Sequence, residues 1–412
     1  TSMGSHLGEL HVCSSEVAQA LGVKGPVITI STACASSTNA LGVGRELIDQ
    51  GLADAVVAGG ADALCPEIFA GFHALGLLSP RKCAPFSESM GTTLGEGAGF
   101  LVLEREAEAR ARGARPVAWL SGWAVSADAY HATSPEPSGA GVARALRWTL
   151  DDAALAPEAV GYVNAHGTGT PANDPAEWAA ISAVLGARAA EVSSTKSYLA
   201  HAQGAAGVLE LVATLLALEH GQVLPTLHLT KRRRRAPADP VEGSAPRAHA
   251  YQHALSNNSA FGGANASVCI SRSSTPRRAR PERPVFVSGL GAVGPFGTSL
   301  DALAAFDGSS ARPAPIELEA LAPTADTRMM DQTAIALTAA VALALADAKL
   351  TIAGPLRERT GLFVGTTNAS PASWEEFRAS VRERGLLKLA TPAFTRLVLN
   401  AAAGAATRVF GL

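Results

Sequence analysis

Three side chains in this 412-residue sequence have the types and settings for nucleophilic catalysis: Cys34, His166 and His201. A thiol can form a covalent intermediate, and an imidazole beside it can move the proton that this requires. Cys34 lies in Ser31-Thr32-Ala33-Cys34-Ala35-Ser36-Ser37, after the apolar, β-branched run Pro26-Val27-Ile28-Thr29-Ile30. That run reads as a buried strand. From Ser37 to Ile48, Ala40, Leu41, Val43 and Leu47 recur at helical spacing. Cys34 is therefore expected at a strand-to-helix turn, where unpaired N–H groups and the positive end of the helix dipole favour thiolate over thiol. Its small neighbours leave room for a long substrate. A lone cysteine is more often a buried apolar residue, but these flanks point to a nucleophile.

His166 opens His166-Gly167-Thr168-Gly169-Thr170-Pro171 behind an expected strand, Val160 to Ala165, with Asn173, Asp174 and Glu177 close behind. His201 follows Lys196 by five residues and precedes Gly204-Ala205-Ala206-Gly207 and a strongly apolar helix, Val208 to Leu218. One cysteine and two histidines on separate loops, each at the end of an element, make a nucleophile-plus-base pattern.

Around them the chain alternates strands and helices. Ala55 to Gly60, Phe100 to Leu103 and Ser267 to Ser271 read as strands, and Ser14 to Leu21 and Val142 to Asp151 as helices. Gly95-Glu96-Gly97-Ala98-Gly99 permits close packing, and no P-loop Lys or Ser/Thr follows it. The aliphatic, Ala-rich and Gly-rich composition, with 5% aromatics, suits a layered α/β protein. A net charge of −2 gives no global field for nucleic acid or membrane. The five cysteines are scattered without C-x-x-C pairs, so neither a zinc site nor a disulfide framework is indicated. A reducing cytoplasm is the expected setting, since no signal peptide or membrane-length apolar run is present.

Four motifs carry a family resemblance: Thr32-Ala33-Cys34-Ala35-Ser36-Ser37, Asn164 through Thr170, Lys196 through His201, and Phe261-Gly262-Gly263-Ala264-Asn265-Ala266. At these residues the chain resembles the β-ketoacyl-[acyl-carrier-protein] synthases of types I and II, condensing enzymes of fatty acid and polyketide synthesis in the thiolase superfamily. The resemblance covers nearly all of Lys24 to Arg272. It implies a thiolase-like α/β fold of five alternating layers, αβαβα, with the Cys34 helix between two sheets. It also implies a decarboxylative Claisen condensation of an acyl group on Cys34 with a malonyl carrier. The Cys34 and Phe261 N–H groups would form the oxyanion hole. His166 and His201 would serve the malonyl thioester, and Lys196 and Glu177 would be the supporting ion pair. Thr168 and Thr170 would bind the phosphopantetheine arm, while Phe261, with Gly262 beside it, would gate the acyl pocket. No cofactor or metal is implied beyond the arm of the acyl carrier protein. That carrier would be a partner, and a homodimer or pseudo-dimer would form through the edge near Ala55 to Ala58.

Two local departures stand out. The family usually has glycine where Ala200 precedes the second histidine, and its Pro-Phe-Asp loop is Pro85-Phe86-Ser87 here. Neither removes a catalytic group, so activity is expected. The larger departure is in order. The family's opening Gly-x-Gly-Ala-Val stretch corresponds to Val285 to Gly297, after the catalytic half. Gly361 through Thr367 also resembles its first part. The chain is thus expected to comprise a catalytic module at 1–272 without its usual first segment, a Pro/Arg-rich linker at 273–284, and a synthase-like N-terminal segment at 285–412. Thr1–Val23 and Thr366–Leu412 resemble two versions of one region, which favours a tandem of two synthases. Foldability favours completion instead, with strands Val285–Val293 and Thr360–Val364 packed against the body at Lys24–Arg272.

A non-catalytic partner of the chain-length-factor kind is the other function class. Such factors lack the cysteine that is present here. A thiolase would need a second cysteine near the C-terminal glycine loop, where Asn265 stands. The initiating synthases use Cys-His-Asn, whereas His201 fills the second histidine position. The cation run Lys231 to Arg235 reads as a solvated loop or as a docking patch for an acidic carrier.

Overall fold

The computed structural model describes residues 10–88, 91–187, 190–275, 284–307, 315–367 and 370–412. Residues 1–9 of the Thr1–Val23 region and linker residues 276–283 lie outside the described residues. The chain divides into two compact units. The first takes the described residues up to Thr275, except Ala127–Thr133 and Phe261–Gly263; those two segments join the residues from Pro284 onward in the second.

The first unit is layered. Its five-stranded sheet runs in the order Trp119–Ala127, Ala264–Ser271, His253–Ser259, Val160–Asn164, Glu191–Ser193. The second and third of these pair antiparallel, and the last three are parallel to one another. The central parallel strands, Val160–Asn164 and His253–Ser259, are buried on both faces. One face packs on the helices Ala140–Ala153 and Asn173–Leu185, where Leu146, Leu150, Ile181, Val163 and Leu255 form a core. The opposite face packs on the helices Ser36–Asp49 and Ala206–His220, with Leu41, Leu211, Leu218, Ala254 and Ile270. Beyond these helices lies a two-stranded antiparallel sheet, Ala55–Asp62 with Gly97–Glu104.

The Ser36–Asp49 helix thus lies between two sheets, and its glycines let them approach. A methyl at Gly42 would stand 2.0 Å from the Trp123 ring, and one at Gly44 would stand 3.1 Å from Val56. Among the described residues, the first unit shows four alternating layers. Beyond the two-stranded sheet, Val57, Phe100 and Val102 are 48, 51 and 64% exposed.

The sequence reading fails at three expected strands. Pro26 to Ile30 joins no ladder, and Val27 and Ile28 are half exposed, not buried. In the second unit, Val285–Val293 and Thr360–Val364 join no ladder. Val285, Phe286 and Phe363 are 95, 83 and 96% exposed. β-branched composition marks all three segments, but a strand also needs a partner edge with matching register, and composition does not supply one.

The second unit is otherwise helical. Gln332–Asp347 packs on Ala401–Phe410, and Pro371–Arg384 packs on Thr391–Leu397 through the rings of Phe377 and Phe394, 5.3 Å apart. Gly289 and Gly291 lie against the first of these helices: added methyls would meet the carbonyls of Ala344 and Ala340 at 2.3 and 2.2 Å. Among the described residues, no helix is long and apolar enough to cross a membrane.

Candidate active site

Cys34 sits in a single 3₁₀ turn, Ala33–Ala35, that feeds directly into the Ser36–Asp49 helix. Ala33 takes φ +49°, a left-handed conformation that turns the chain sharply. Ser36 Oγ stabilises the turn by accepting from the Thr32 N–H at 2.9 Å and donating to the Ala33 carbonyl at 2.6 Å. Asn39 Nδ2 donates to Thr32 Oγ1 at 2.6 Å. The strand-to-turn-to-helix placement was legible, apart from the missing strand ladder. The expected thiolate was not. Burial pushes the Cys34 thiol up to about 12, against the lowering effect of Lys196. Desolvation outweighs the helix end, because a thiolate loses more hydration here than the nearby dipoles return.

His201 supplies what the thiol needs. Its Nε2 lies 3.1 Å from Cys34 Sγ. The backbone is fixed by the segment beside it: His201 N donates to the Thr93 carbonyl at 2.7 Å, and Gly95 N donates to the His201 carbonyl at 3.0 Å. Phe72 meets the imidazole edge-on at 6.3 Å, and the His166 ring stands perpendicular to it at 5.4 Å. Burial, with Lys196 nearby, holds His201 well below the usual histidine range. His166 is also held well below it, by burial and then by Lys196 and His201. Both imidazoles are neutral at pH 7.

Lys196 is fully buried, and its Nζ lies 3.3 Å from His166 Nδ1. An ammonium only donates, so Nδ1 accepts and His166 carries its proton on Nε2. The ion-pair partner of Lys196 is Glu210, not Glu177 as expected. Glu177 Oε1 accepts from the His166 N–H at 2.7 Å and Asn257 Nδ2 at 2.8 Å, while Oε2 accepts from the Gly167 N–H at 2.8 Å. It therefore holds the histidine loop by its backbone. Glu210 could have been found as the one acid inside the apolar Val208–Leu218 run, since a carboxylate on such a helix requires a buried partner. Asp174 performs a similar task, accepting from the N–H of Phe86 at 2.7 Å and of Gly169 at 3.1 Å; burial pushes it up to about 6.

Thr168 and Thr170 lie on the loop after His166 with their hydroxyls 3.0 Å apart. Ser87, at the family's aspartate position, is fully buried and donates to the Lys231 carbonyl at 3.1 Å. The cation run is consequently not one uniform patch. Lys231 is exposed but pairs with Glu88 at 2.8 Å, and Arg233 is partly buried, whereas Arg232, Arg234 and Arg235 are exposed. Phe261 and Gly262 belong to the second unit. There Asn400 Nδ2 donates to the Phe261 carbonyl at 2.8 Å, and Gly262 N donates to the Ala132 carbonyl at 2.7 Å.

The family model described as the N-terminal domain of β-ketoacyl synthase matches residues 6–109, and that of the C-terminal domain matches residues 117–230. A 3-oxoacyl-[acyl-carrier-protein] synthase 2 of Synechocystis is 42% identical over 262 residues, which are 61% of this chain and 63% of that protein. The chain thus spans under two thirds of the length of such curated relatives. A solved β-ketoacyl synthase from Burkholderia phymatum is 37% identical with a TM-score of 0.61, covering 64% of this chain and 65% of that one. A type II polyketide ketosynthase, solved with its acyl-carrier protein, is 35% identical with a TM-score of 0.62, covering 64% of this chain and 67% of its own. With its thiolase-like layers, its Cys-His-His constellation and these matches, the chain belongs to the β-ketoacyl synthase family.

Proposed function

We propose that this chain is a 3-oxoacyl-[acyl-carrier-protein] synthase, an acyltransferase that condenses an acyl group on Cys34 with malonyl carrier protein. The observation that carries the reading is the unbroken contact chain from Cys34 Sγ to His201, His166 and Lys196. In loading, Cys34 sulfur attacks the acyl thioester as His201 Nε2 takes the thiol proton. That proton passes to the departing carrier thiolate, so no free Cys34 thiolate is needed. Malonyl carrier then loses CO₂, and the electron pair left behind forms an enolate. The His166 Nε2–H donates to the enolate oxygen, and the uncharged ring suits a developing anion without surrendering its proton. The enolate carbon attacks the acyl carbonyl, the bond to sulfur breaks, and the released thiolate regains a proton from water.

Lys196 and Glu210 orient His166, and Glu177 holds its loop. The resemblance supports Thr168 and Thr170 as contacts for the phosphopantetheine arm, and Phe261 and Gly262 as the gate of the acyl pocket. The partner is an acidic acyl carrier protein, met through exposed Arg232, Arg234 and Arg235. The setting is the cytoplasm and the assembly is a dimer or pseudo-dimer. A chain-length-factor role is disfavoured by Cys34 itself. Val285–Leu412 is read as the first part of a synthase-like domain.

Release of labelled CO₂ from malonyl carrier tests the reading. The chain should release it, and His166→Ala should cut the rate by about a hundredfold or more, the scale of a lost transition-state donor. Unchanged release by that variant would remove His166 from the mechanism.

A further inference from the structure

A run of buried polar contacts leads away from His166 and ends on the nucleophile's own helix. Lys196 Nζ donates to Glu210 Oε1 as well as to His166 Nδ1. The other carboxylate oxygen of Glu210 accepts from Asn258 Nδ2 at 2.8 Å. Asn258 Oδ1 in turn accepts from Thr38 Oγ1 at 2.6 Å. Thr38 lies one turn beyond Cys34, in the Ser36–Asp49 helix. Asn258, Lys196, Thr38 and Glu210 are all at most 1% exposed.

The direction of this run is fixed by chemistry. A carboxylate accepts only, so the Asn258 amide must present its N–H to Glu210. Its oxygen is then left to face Thr38, whose hydroxyl is a donor there. Rotating the amide would set its oxygen against the carboxylate and lose the bond to Glu210, even though the Thr38 hydroxyl could then accept from the amide nitrogen. Gly207 leaves the space that this contact occupies: an added methyl would stand 2.1 Å from Thr38 Oγ1 and 2.8 Å from Asn258 Oδ1.

We infer that Asn258, locked by Thr38, is a positioning residue that holds Glu210 and Lys196 so that His166 keeps its proton on Nε2. The nucleophile helix and the donor of the second half-reaction are thereby set by one line of hydrogen bonds. The catalytic consequence rests on the condensing-enzyme reading above; the tautomer consequence does not.

Two readouts on the full chain test it, using Asn258→Ala, Thr38→Val and Thr38→Ser. Nitrogen NMR of ¹⁵N-histidine-labelled protein reports the His166 tautomer directly. The parent and Thr38→Ser should show the single Nε2–H form, while Asn258→Ala and Thr38→Val should show a mixture. CO₂ release from malonyl carrier should fall by about tenfold in kcat in the two damaged variants, the scale of one hydrogen bond to a charged group. KM should stay within about twofold, and Thr38→Ser should restore the rate. A His166 signal identical to the parent's in both damaged variants overturns the inference, as does undiminished CO₂ release. If Asn258→Ala does not fold, Thr38→Val carries the test alone, since it exchanges a hydroxyl for a methyl of similar size. If the parent itself releases no CO₂, the condensing-enzyme reading fails while the nitrogen spectra still decide the coupling.

Discussion

Ala200 has φ +58° and ψ −172°, a backbone region essentially reserved for glycine. The conformation aims the next residue, His201, at Cys34, and it explains why an alanine at this place is a strained choice. Ala200→Gly should relieve about 1–3 kcal/mol of strain and lose up to about 1 kcal/mol to the greater freedom of the unfolded chain. The net expectation is a gain of roughly 1 kcal/mol, read as a higher midpoint in urea; a lower midpoint would mean that the Ala200 methyl contributes packing worth more than the strain. The thiol and imidazole make a second test. With Cys34 pushed up to about 12 and His201 held well below 6.5, the neutral pair persists across the middle of the pH range. Loading of Cys34 should therefore be level from about pH 7 to 9, whereas attack by a free thiolate would speed up about tenfold per unit. That Cys34, His166, His201 and Lys196 come together was legible from type and motif. The protonation of the thiol was not, because it depends on how much water reaches the sulfur. The partner of Lys196 was misread because Glu177 and Glu210 both follow a site loop, and only the fold decides which carboxylate reaches the ammonium.

At the scale of elements, most of the first unit was legible. The helices around Val142 and Val208 and the strands at Ala55, Val160 and Ser267 appear with their ends displaced by a few residues. Periodicity and apolar runs suffice where an element buries at least one continuous face. The Ser36–Asp49 helix shows what they do not convey, since its glycines are spacing devices. Gly42→Ala on an exposed helix would gain about 1 kcal/mol. Here the methyl would enter the Trp123 ring at 2.0 Å, and overpacking of that kind costs about 1–3 kcal/mol. The variant should unfold at lower urea than the parent, and an unchanged or higher midpoint would show that the two sheets do not clamp this helix.

At the scale of the whole molecule, both the family and its layered α/β class could be read from four short motifs. What could not be read was which edges find partners. Pro26–Ile30, Val285–Val293 and Thr360–Val364 have strand composition but no ladder, since register and pairing are set by tertiary context, not by local preference. The site itself does not wait on those edges: Cys34, His201, His166, Lys196 and Glu210 are already joined within the first unit. The central claim is that this constellation makes Cys34 an acyl acceptor. The most direct measurement is peptide-resolved mass spectrometry after incubation with an acyl-loaded carrier protein. The account expects one acyl mass on the peptide that contains Cys34, absent in Cys34→Ala and sharply reduced in His201→Ala; no adduct, or one confined to exposed Cys13, would contradict it.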